Sequence, residues 1–408
     1  MDESGALSTT VLHSWHVANG GKMVEFGGWE MPVQYSTGII GEHVATRRSA
    51  GLFDVSHMGR YRITGPNACA FLMHTLTNDA RKLSPGIAHY SFISNDHGGA
   101  IDDVFLYQLA PEDYLLVVNA GNRDKDWNWL TSHNASRGPH AATLEDHSEA
   151  QAMLALQGPA SETILRAALG ADALPCSKRN RIKQIPHGDG AIIVTRTGYT
   201  GEPTCFELFC PSEHAVDLWT QLVAAGATPA GLGARDSLRL EADLPLYGHE
   251  LGSDKNGDDI PILANTFAKF AVKLDTEREF IGRAALARQR ATLDRTIAGD
   301  LTDNAALPQL IKPVRVTNGR RPLRAGYRVE YEGREVGTIT SGLTVPRPDI
   351  YRATGTLPKA SEMRPIGLAL MDAALAVAPE PIGLQVVDDR GNRQDAITVS
   401  TNFEPKTD

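Results

Sequence analysis

Two hydrophobic periodicities alternate along this chain, and their mixed order constrains its fold more than any other feature. Apolar residues at three- and four-residue spacing predict helices over 159–168 and 213–225. Strand-like stretches are more numerous, and turn-forming residues pair them into hairpins over 104–119 and 191–210. Helices and hairpins in mixed order predict a body of the α+β class.

The C-terminal part of the chain has a different character. Tyr327, Val329 and Tyr331 alternate with charged residues, and a glycine turn separates them from a second strand over 335–340. The preceding stretch, 299–313, contains Asp, Asn and Pro without a sustained period, which predicts a linker. We therefore expect a small all-β domain after the α+β body.

Composition and charge exclude several classes of protein. The chain has 408 residues, of which 42% are hydrophobic and 22% charged, as in ordinary globular proteins. Its net charge of −9 argues against non-specific nucleic-acid binding, which needs a basic excess. No apolar run reaches the roughly 18 residues of a membrane span, the first ten residues are polar and acidic, and the four cysteines form no metal-spaced cluster. We predict a cytoplasmic protein that binds neither nucleic acid nor a membrane.

Two adjacent carboxylates, Asp102 and Asp103, follow a pair of glycines and lead into an apolar strand. Side chains alternate across a strand, so these two acids must point to opposite faces. Asp103 then shares its face with Phe105 and Tyr107, and one acid of the pair can enter an interior cavity as a proton acceptor or an orienting group. Two solvated acids at a turn are the alternative interpretation.

A second candidate segment runs from Arg196 to Glu202, where two glycines permit a backbone that approaches a ligand closely. Glu207 follows, on the strand face opposite Phe206 and Leu208. A carboxylate there can accept two parallel N–H bonds from a planar heterocycle such as an aminopyrimidine ring. A solvent-facing strand glutamate is the alternative interpretation.

A helix is predicted after Gly231 and Gly233, with Arg235 and Arg239 on one face. This spacing suits a planar or anionic ligand, although a surface ion pair is the commoner use of it. His57 is the best placed of the 13 histidines, and we predict a core histidine whose ring nitrogens are hydrogen-bonded.

Taken together, these segments resemble the aminomethyltransferase (T-protein) family of the glycine cleavage system over nearly the whole chain. Each motif is weak alone, and their order and spacing carry the resemblance. The segments that carry it are 23–32, 51–59, 98–103, 117–120, 156–159, 196–202, 231–241, 246–251, 280–283 and 340–342.

The resemblance implies a tetrahydrofolate-dependent one-carbon transferase. Residues 1–298 are expected to form two interleaved α+β folate-binding subdomains, and residues 311–408 a C-terminal antiparallel β-barrel domain. The implied reaction moves the one-carbon unit from the aminomethyl-lipoyl arm of H-protein to tetrahydrofolate, the cosubstrate, and releases ammonia. Lipoylated H-protein and folate are therefore the implied partners, and no metal is implied.

Family roles carry over to individual positions of this sequence. Asp103 matches the catalytic carboxylate, whose implied role is to orient the folate and to handle the N10 proton. The resemblance also implies a set of folate-binding residues: Glu207 for the pterin, Arg235, Tyr90, Asn119, Tyr199 and Met58.

Residues 252–270 and 344–365 depart from the family's usual pattern. A second enzymatic interpretation is a tetrahydrofolate-dependent demethylase acting on a small methylated donor. A third, of a different class, is a folate-binding maintenance protein of the same fold. The Arg196–Glu202 sequence and Asp103 both argue against that third interpretation.

Overall fold

A computed structural model describes residues 6–188, 190–275, 277–354 and 357–402. The chain forms two compact units, and each is assembled from separate stretches of the sequence. Unit 1 comprises Met1–Thr75, Asp79–Ser91 and Val104–Leu238, and unit 2 comprises Leu76–Asn78, Phe92–Asp103 and Arg239–Asp408.

Helices and strands follow one another in mixed order, as the periodicity predicts. The helices are α1 (His13–Ala18), α2 (Gly38–Arg48), α3 (Ala68–Thr75), α4 (Arg123–Ala135), α5 (Ser161–Leu169), α6 (Ala215–Ala224), α7 (Leu232–Glu241), α8 (Arg283–Ile297), α9 (Pro348–Thr354) and α10 (Ala373–Val377). The strands as far as residue 229 are β1 (Lys22–Phe26), β2 (Trp29–Gln34), β3 (Gly51–Asp54), β4 (Gly59–Thr64), β5 (Ile87–Ser94), β6 (Ala100–Ala110), β7 (Asp113–Val118), β8 (Thr143–Asp146), β9 (Gln151–Gln157), β10 (Ile182–His187), β11 (Gly190–Thr195), β12 (Cys205–Pro211) and β13 (Thr228–Pro229).

These strands build two larger sheets and one hairpin. The first sheet has the strand order β10-β11-β12-β9-β3-β13, in which β13 runs parallel to its neighbour β3. The second sheet has the order β5-β6-β7-β4-β8, and β1 pairs with β2 separately. Both hairpins predicted for this region are confirmed, because β6 pairs with β7 and β11 pairs with β12 in antiparallel register.

The first sheet of unit 1 buries a different apolar cluster on each face. On one face, Phe206 and Leu208 of β12 pack with Leu218 and Trp219 of α6, and all four side chains are fully buried. These helix positions recur at three- and four-residue spacing, which is why the 213–225 segment forms a helix here. Burying each such side chain contributes about 1.5–3 kcal/mol. On the other face, Phe209 packs with residues of both larger sheets.

Unit 2 contains the closed antiparallel barrel that the C-terminal pattern predicts. Its strand order is β14-β17-β16-β15-β18-β19, and β14 also pairs with β19, so the ring closes. The described strands of the barrel are β14 (Gln309–Asn318), β15 (Arg328–Tyr331), β16 (Arg334–Pro346), β17 (Met363–Asp372), β18 (Gly383–Val387) and β19 (Arg393–Thr398).

The predicted linker over 299–313 is wrong in its second half. Strand β14 begins at Gln309, and Leu310 and Val314 are buried in unit 2. Pro313 lies inside this strand, opposite Leu368 of β17. A proline lacks the N–H that a strand interior normally donates, so the sequence argued against a strand at a place where the barrel accommodates one.

Candidate active site

Glu207 is buried at the centre of the first sheet of unit 1. It lies on β12, opposite Ala155 of β9 and Thr195 of β11, and only 6% of its surface is exposed. Its neighbours Phe206 and Leu208 belong to the apolar cluster on the other face of the strand. The predicted facing of Glu207 is confirmed, and the alternative of a solvent-facing glutamate is wrong.

Two hydroxyl groups hold one oxygen of this carboxylate. Tyr107 donates to Oε2 of Glu207 at 2.9 Å, and Thr197 donates to the same oxygen at 2.5 Å. The exposed fractions of Tyr107 and Thr197 are 0% and 2%. Within the described part of the chain, Oε1 of Glu207 receives no hydrogen bond, so an acceptor is available there for a ligand.

Arg235 supplies a donor that has no acceptor among the described residues. Its guanidinium carbon lies 4.8 Å from the centre of the Tyr199 ring, a cation–π arrangement, and its buried Nη1 has no hydrogen-bond partner. Burial lowers the pKa of Arg235, and the nearby charge of Glu207 acts against that shift. A planar ligand with acceptor atoms would satisfy this guanidinium, and a ligand N–H would satisfy Glu207.

Hydrogen bonds from a buried arginine hold the loop that carries Thr197 and Tyr199. Arg47 donates to the carbonyl oxygen of Thr200 at 2.7 Å and to Glu202 at 2.7 Å. The close approach of the backbone to a ligand at this loop stays a prediction, and the structure shows a further reason for Gly198. A Cβ on Gly198 would lie 2.1 Å from the Gln157 side-chain oxygen, so the glycine is needed for packing against the protein itself.

Residues 54–60 form a second fixed loop in unit 1. The backbone N–H of Ser56 donates to Asp54 at 2.9 Å, and the buried guanidinium of Arg60 donates to the carbonyl oxygens of Ser56 at 3.0 Å and Met58 at 2.5 Å. Met58 is half-buried and packs against the apolar cluster that also contains Tyr107. Its place beside this cluster is compatible with the predicted pocket-lining role.

His57, in the same loop, is buried as predicted, but its hydrogen bonding differs from the prediction. Its exposed fraction is 5%, and Nδ1 has no hydrogen-bond partner among the described residues. Burial lowers the pKa of His57 to about 4, the charge of Asp54 raises it, and Arg235, Arg60 and Arg123 lower it further. The imidazole is therefore neutral at neutral pH.

Tyr90 joins the candidate site through an aromatic row. Its half-buried ring lies 6.3 Å from that of Phe105, centre to centre, and Phe105 lies 5.2 Å from Tyr107. Asn119 is half-buried and directly follows β7, where its carbonyl oxygen accepts from the N–H of Asn122 at 3.0 Å.

The carboxylate pair lies near the start of β6, where exposure alternates from residue to residue. Asp102 and Val104 are buried on one face, and Asp103 and Phe105 are half-buried on the other. The predicted opposite facing of the two acids is confirmed. Two solvated acids are excluded, because Asp102 exposes 0% of its surface. Asp103 is the more accessible carboxylate and the one that shares a strand face with aromatic residues.

The turn before these carboxylates is fixed within unit 2. The side chain of Gln289 donates to the carbonyl oxygen of Gly98 at 3.0 Å, and a Cβ on Gly98 would lie 2.4 Å from that nitrogen. A Cβ on Gly99 would lie 2.6 Å from the carboxyl carbon of Asp259. The two glycines therefore allow close packing at the start of β6 and fix where Asp102 and Asp103 enter the strand.

Two residues of the Glu207 site, Tyr107 and Thr197, were missed by sequence reasoning as functional groups. A partial signal existed, because Tyr107 shares strand parity with Asp103, and Thr197 lies in the glycine-containing loop. Their convergence on one carboxylate oxygen joins residues ten and a hundred positions apart in sequence from Glu207, which no local pattern reveals.

Two structural features are absent from the described ranges. There, no group of three or more His, Cys, Asp or Glu side chains is arranged to hold a metal ion. None of the helices in those ranges is both long enough and apolar enough to cross a membrane. The four cysteines are free thiols.

Known proteins resemble this chain over most of its length. Residues 12–268 match the family model described as the GCVT N-terminal domain. An aminomethyltransferase of Deinococcus deserti is 41% identical over 375 residues, covering 92% of each chain. An aminomethyltransferase of Geobacillus kaustophilus is 41% identical over 402 residues, covering 97% of this chain and 98% of that one.

A solved structure shares the architecture as well. The crystal structure of glycine cleavage system aminomethyltransferase T from Bartonella henselae matches with a TM-score of 0.80 and 29% sequence identity, covering 98% of both chains. Fold, family model and near-full-length identity agree. The chain therefore belongs to the aminomethyltransferase family of transferases, the family of the glycine cleavage T-protein.

Proposed function

We propose that this protein transfers a one-carbon unit from the aminomethyl-lipoyl arm of H-protein to tetrahydrofolate. The carbon–nitrogen and carbon–sulfur bonds of the aminomethyl group break, and two bonds form from the carbon to N5 and N10 of tetrahydrofolate. Two folate N–H protons leave, one completing ammonia and the other the dihydrolipoyl thiol. The products are 5,10-methylene-tetrahydrofolate, ammonia and dihydrolipoyl H-protein.

The observation that carries the folate part of this proposal is a pair of unmet hydrogen-bonding groups in unit 1. Glu207 has an acceptor oxygen, and Arg235 a buried donor nitrogen, that no described residue satisfies. Buried polar groups without partners are costly, and a bound ligand commonly meets them. The pterin ring of tetrahydrofolate presents N–H donors and a carbonyl acceptor in one plane, which fits both groups.

Around this pair, we assign the remaining candidate residues by their surroundings. Tyr199 would hold the Arg235 guanidinium over its ring, and Tyr90 and Met58 would contribute apolar surface to the pocket. Asn119 keeps the folate-binding role that the family resemblance implies, as a hydrogen-bonding group after β7.

Asp103 is the proposed catalytic carboxylate. It is half-buried on the same face of β6 as Phe105, whereas its neighbour Asp102 is fully buried on the other face. An accessible carboxylate can accept the N10 proton as that nitrogen attacks the carbon, and it can orient the folate before attack. The extended β6 backbone sets the strand face on which this carboxylate lies.

The remaining expectations stay predictions of the sequence. They are the division into a folate-binding region over 1–298 and a barrel domain over 311–408, the partnership with lipoylated H-protein, and the cytoplasmic location. Neither the family match nor the names of the relatives favours the demethylase alternative.

The test is turnover of the purified protein with tetrahydrofolate and aminomethyl-loaded H-protein. A coupled dehydrogenase would report 5,10-methylene-tetrahydrofolate, with unloaded H-protein as the matched control. Product that depends on loaded H-protein supports the proposal. Folate binding without product, followed by turnover on a small methylated donor, would replace the proposal with the demethylase. Folate binding with no turnover on either donor would indicate a binding protein.

A further inference from the structure

We propose that Tyr107 and Thr197 are positioning residues that bind one oxygen of Glu207 and thereby present the other oxygen to the pterin ring of tetrahydrofolate. This inference rests on the proposed function. It adds two residues to the site and specifies how the ligand meets Glu207.

The lone pairs of the carboxylate show why only one oxygen remains for the ligand. A carboxylate oxygen has two lone-pair positions in the carboxylate plane. Oε2 of Glu207 receives one hydrogen bond from Tyr107 at 2.9 Å and one from Thr197 at 2.5 Å. Both positions are therefore used, so a ligand N–H can bond only to Oε1. The expectation of two parallel bonds, one to each oxygen, does not fit this arrangement.

The single proton of Thr197 is donated to Oε2 of Glu207. Oγ1 of Thr195 lies 2.5 Å from Oγ1 of Thr197 and 3.2 Å from the backbone carbonyl oxygen of Glu207, so the one proton of Thr195 has two acceptors within reach. With either acceptor, Thr197 remains a donor toward the carboxylate.

Tyr107 is a permanent donor in this arrangement. Its side chain is fully buried, and its ring lies 5.3 Å from that of Phe209 in an edge-to-face contact, which fixes the direction of the phenol. Burial and the adjacent charge of Glu207 raise the pKa of Tyr107 well above its usual value, so the hydroxyl keeps its proton. Toward the carboxylate of Glu207, the Tyr107 hydroxyl therefore acts only as a donor.

Loss of either hydroxyl has a specific chemical consequence. A carboxylate that loses one donor rotates toward the remaining one or takes up a proton, and in both cases Oε1 becomes a poorer acceptor for the ligand. Affinity should then fall only for ligands that donate to Glu207. The inference places the pterin 2-amino group on Oε1, so a ligand that lacks this group should bind the variants and the native protein about equally.

The test measures dissociation constants of (6S)-tetrahydrofolate and its 2-desamino-2-methyl analogue by titration calorimetry. The proteins are the native chain, Tyr107→Phe, Thr197→Val and Thr197→Ser. Tyr61→Phe is the matched control, because the buried Tyr61 hydroxyl donates to the carbonyl oxygen of Arg123 at 2.6 Å instead of to Glu207.

We expect Tyr107→Phe and Thr197→Val each to weaken tetrahydrofolate binding by about tenfold, the loss of one charge-assisted hydrogen bond. Both should leave binding of the analogue within about twofold of native, a difference at the lower end of measured hydrogen-bond effects. Thr197→Ser keeps the hydroxyl and should retain native selectivity between the ligands, as should Tyr61→Phe.

Two results would overturn the inference, and they are distinguishable. If the native protein binds tetrahydrofolate but both hydroxyl variants keep its selectivity, the positioning role is wrong and the proposed function survives. If the native protein does not bind tetrahydrofolate, the proposed function fails and this inference fails with it. Where only one of the two hydroxyl variants folds, the selectivity of that variant decides the comparison.

Discussion

The guanidinium carbon of Arg235 lies 4.8 Å from the centre of the Tyr199 ring, with one buried nitrogen that no described residue accepts from. The contact with the ring holds the guanidinium while leaving Nη1 available. In the same unit, Glu207 keeps one oxygen without a donor. A donor and an acceptor that are both unmet are what a recognition site for a polar planar ligand requires.

Asp103→Asn should separate binding from transfer. The amide keeps the size of the side chain but cannot take a proton, so tetrahydrofolate affinity should stay near native while the transfer rate falls about 10²–10⁴-fold, the usual contribution of a general base. Equilibrium binding and single-turnover assays on the same preparation measure the two quantities. Unchanged turnover would remove Asp103 from the mechanism.

Asp102→Asn is the matched control for that substitution. Asp102 exposes 0% of its surface and lies on the other face of β6, so its replacement should lower the free energy of unfolding. The transfer rate per folded molecule should stay close to native. A rate loss as large as that of Asp103→Asn would mean that the strand face does not distinguish the two acids, and would contradict the assignment of Asp103 as the catalytic one.

Gly198→Ala should disturb the loop that carries Tyr199. The new methyl group would lie 2.1 Å from the Gln157 side-chain oxygen, which also accepts from Thr200 at 3.0 Å. Overpacking of this kind costs roughly 1–3 kcal/mol, so we expect lower stability in urea together with weaker tetrahydrofolate binding. Gly121→Ala is the control, because a Cβ there meets nothing within 4 Å. Equal stability of the two variants would contradict the bracing role.

Acid should lower the free energy of unfolding by protonating Asp54, a buried carboxylate of unit 1. Burial acts to raise the pKa of this carboxyl, but hydrogen bonds from His16, Thr10 and the N–H of Ser56 outweigh it and lower the pKa to about 2. An unfolded aspartate titrates near 3.9, so between pH ~4 and ~2 the unfolded state binds more protons than the folded state. The stabilisation is present above pH ~4 and is lost as the pH falls, by about 2–3 kcal/mol in total.

Asp54→Asn removes this titration and provides the check on it. Urea unfolding at a series of pH values from 6 down to 3 should show the stability gap between native and variant shrinking as the pH falls. Asp172→Asn, at an exposed position of the same unit, is the control. This variant and the native protein both keep Asp54, so titration of Asp54 should not change the difference in their free energies of unfolding. A constant gap for Asp54→Asn would contradict the assigned hydrogen-bonding network.

The local sequence pattern was sufficient to predict those helices and strands whose buried residues recur at a single helical or strand spacing. The α6 positions Leu218, Trp219 and Leu222 recur at helical spacing and are all buried, and the hairpin of β6 and β7 follows from alternation and its turn residues. The facing of Glu207 and the opposite facing of Asp102 and Asp103 follow from strand parity alone. These predictions needed no knowledge of which strands are neighbours.

Tertiary neighbours decided the features that the sequence did not predict. The reason for Gly198 is the Gln157 side chain from another strand, and the two donors to Glu207 come from β6 and from the loop after β11. Pro313 lies within a barrel strand despite its missing N–H: it is opposite Leu368 of β17, and the register of β14 with β19 begins only at Val314. Contacts of this kind depend on which strands pair, which a single sequence does not state.

The most direct measurement is the tetrahydrofolate dissociation constant of Glu207→Gln beside that of the native protein. The glutamine amide keeps the shape of the side chain but loses the charge that a pterin N–H would meet. We predict tight binding by the native protein and affinity weakened by ~1–3 kcal/mol, roughly 5- to 150-fold, in the variant. Equal affinity of the two folded proteins would contradict the assignment of Glu207 as the group that recognises the folate.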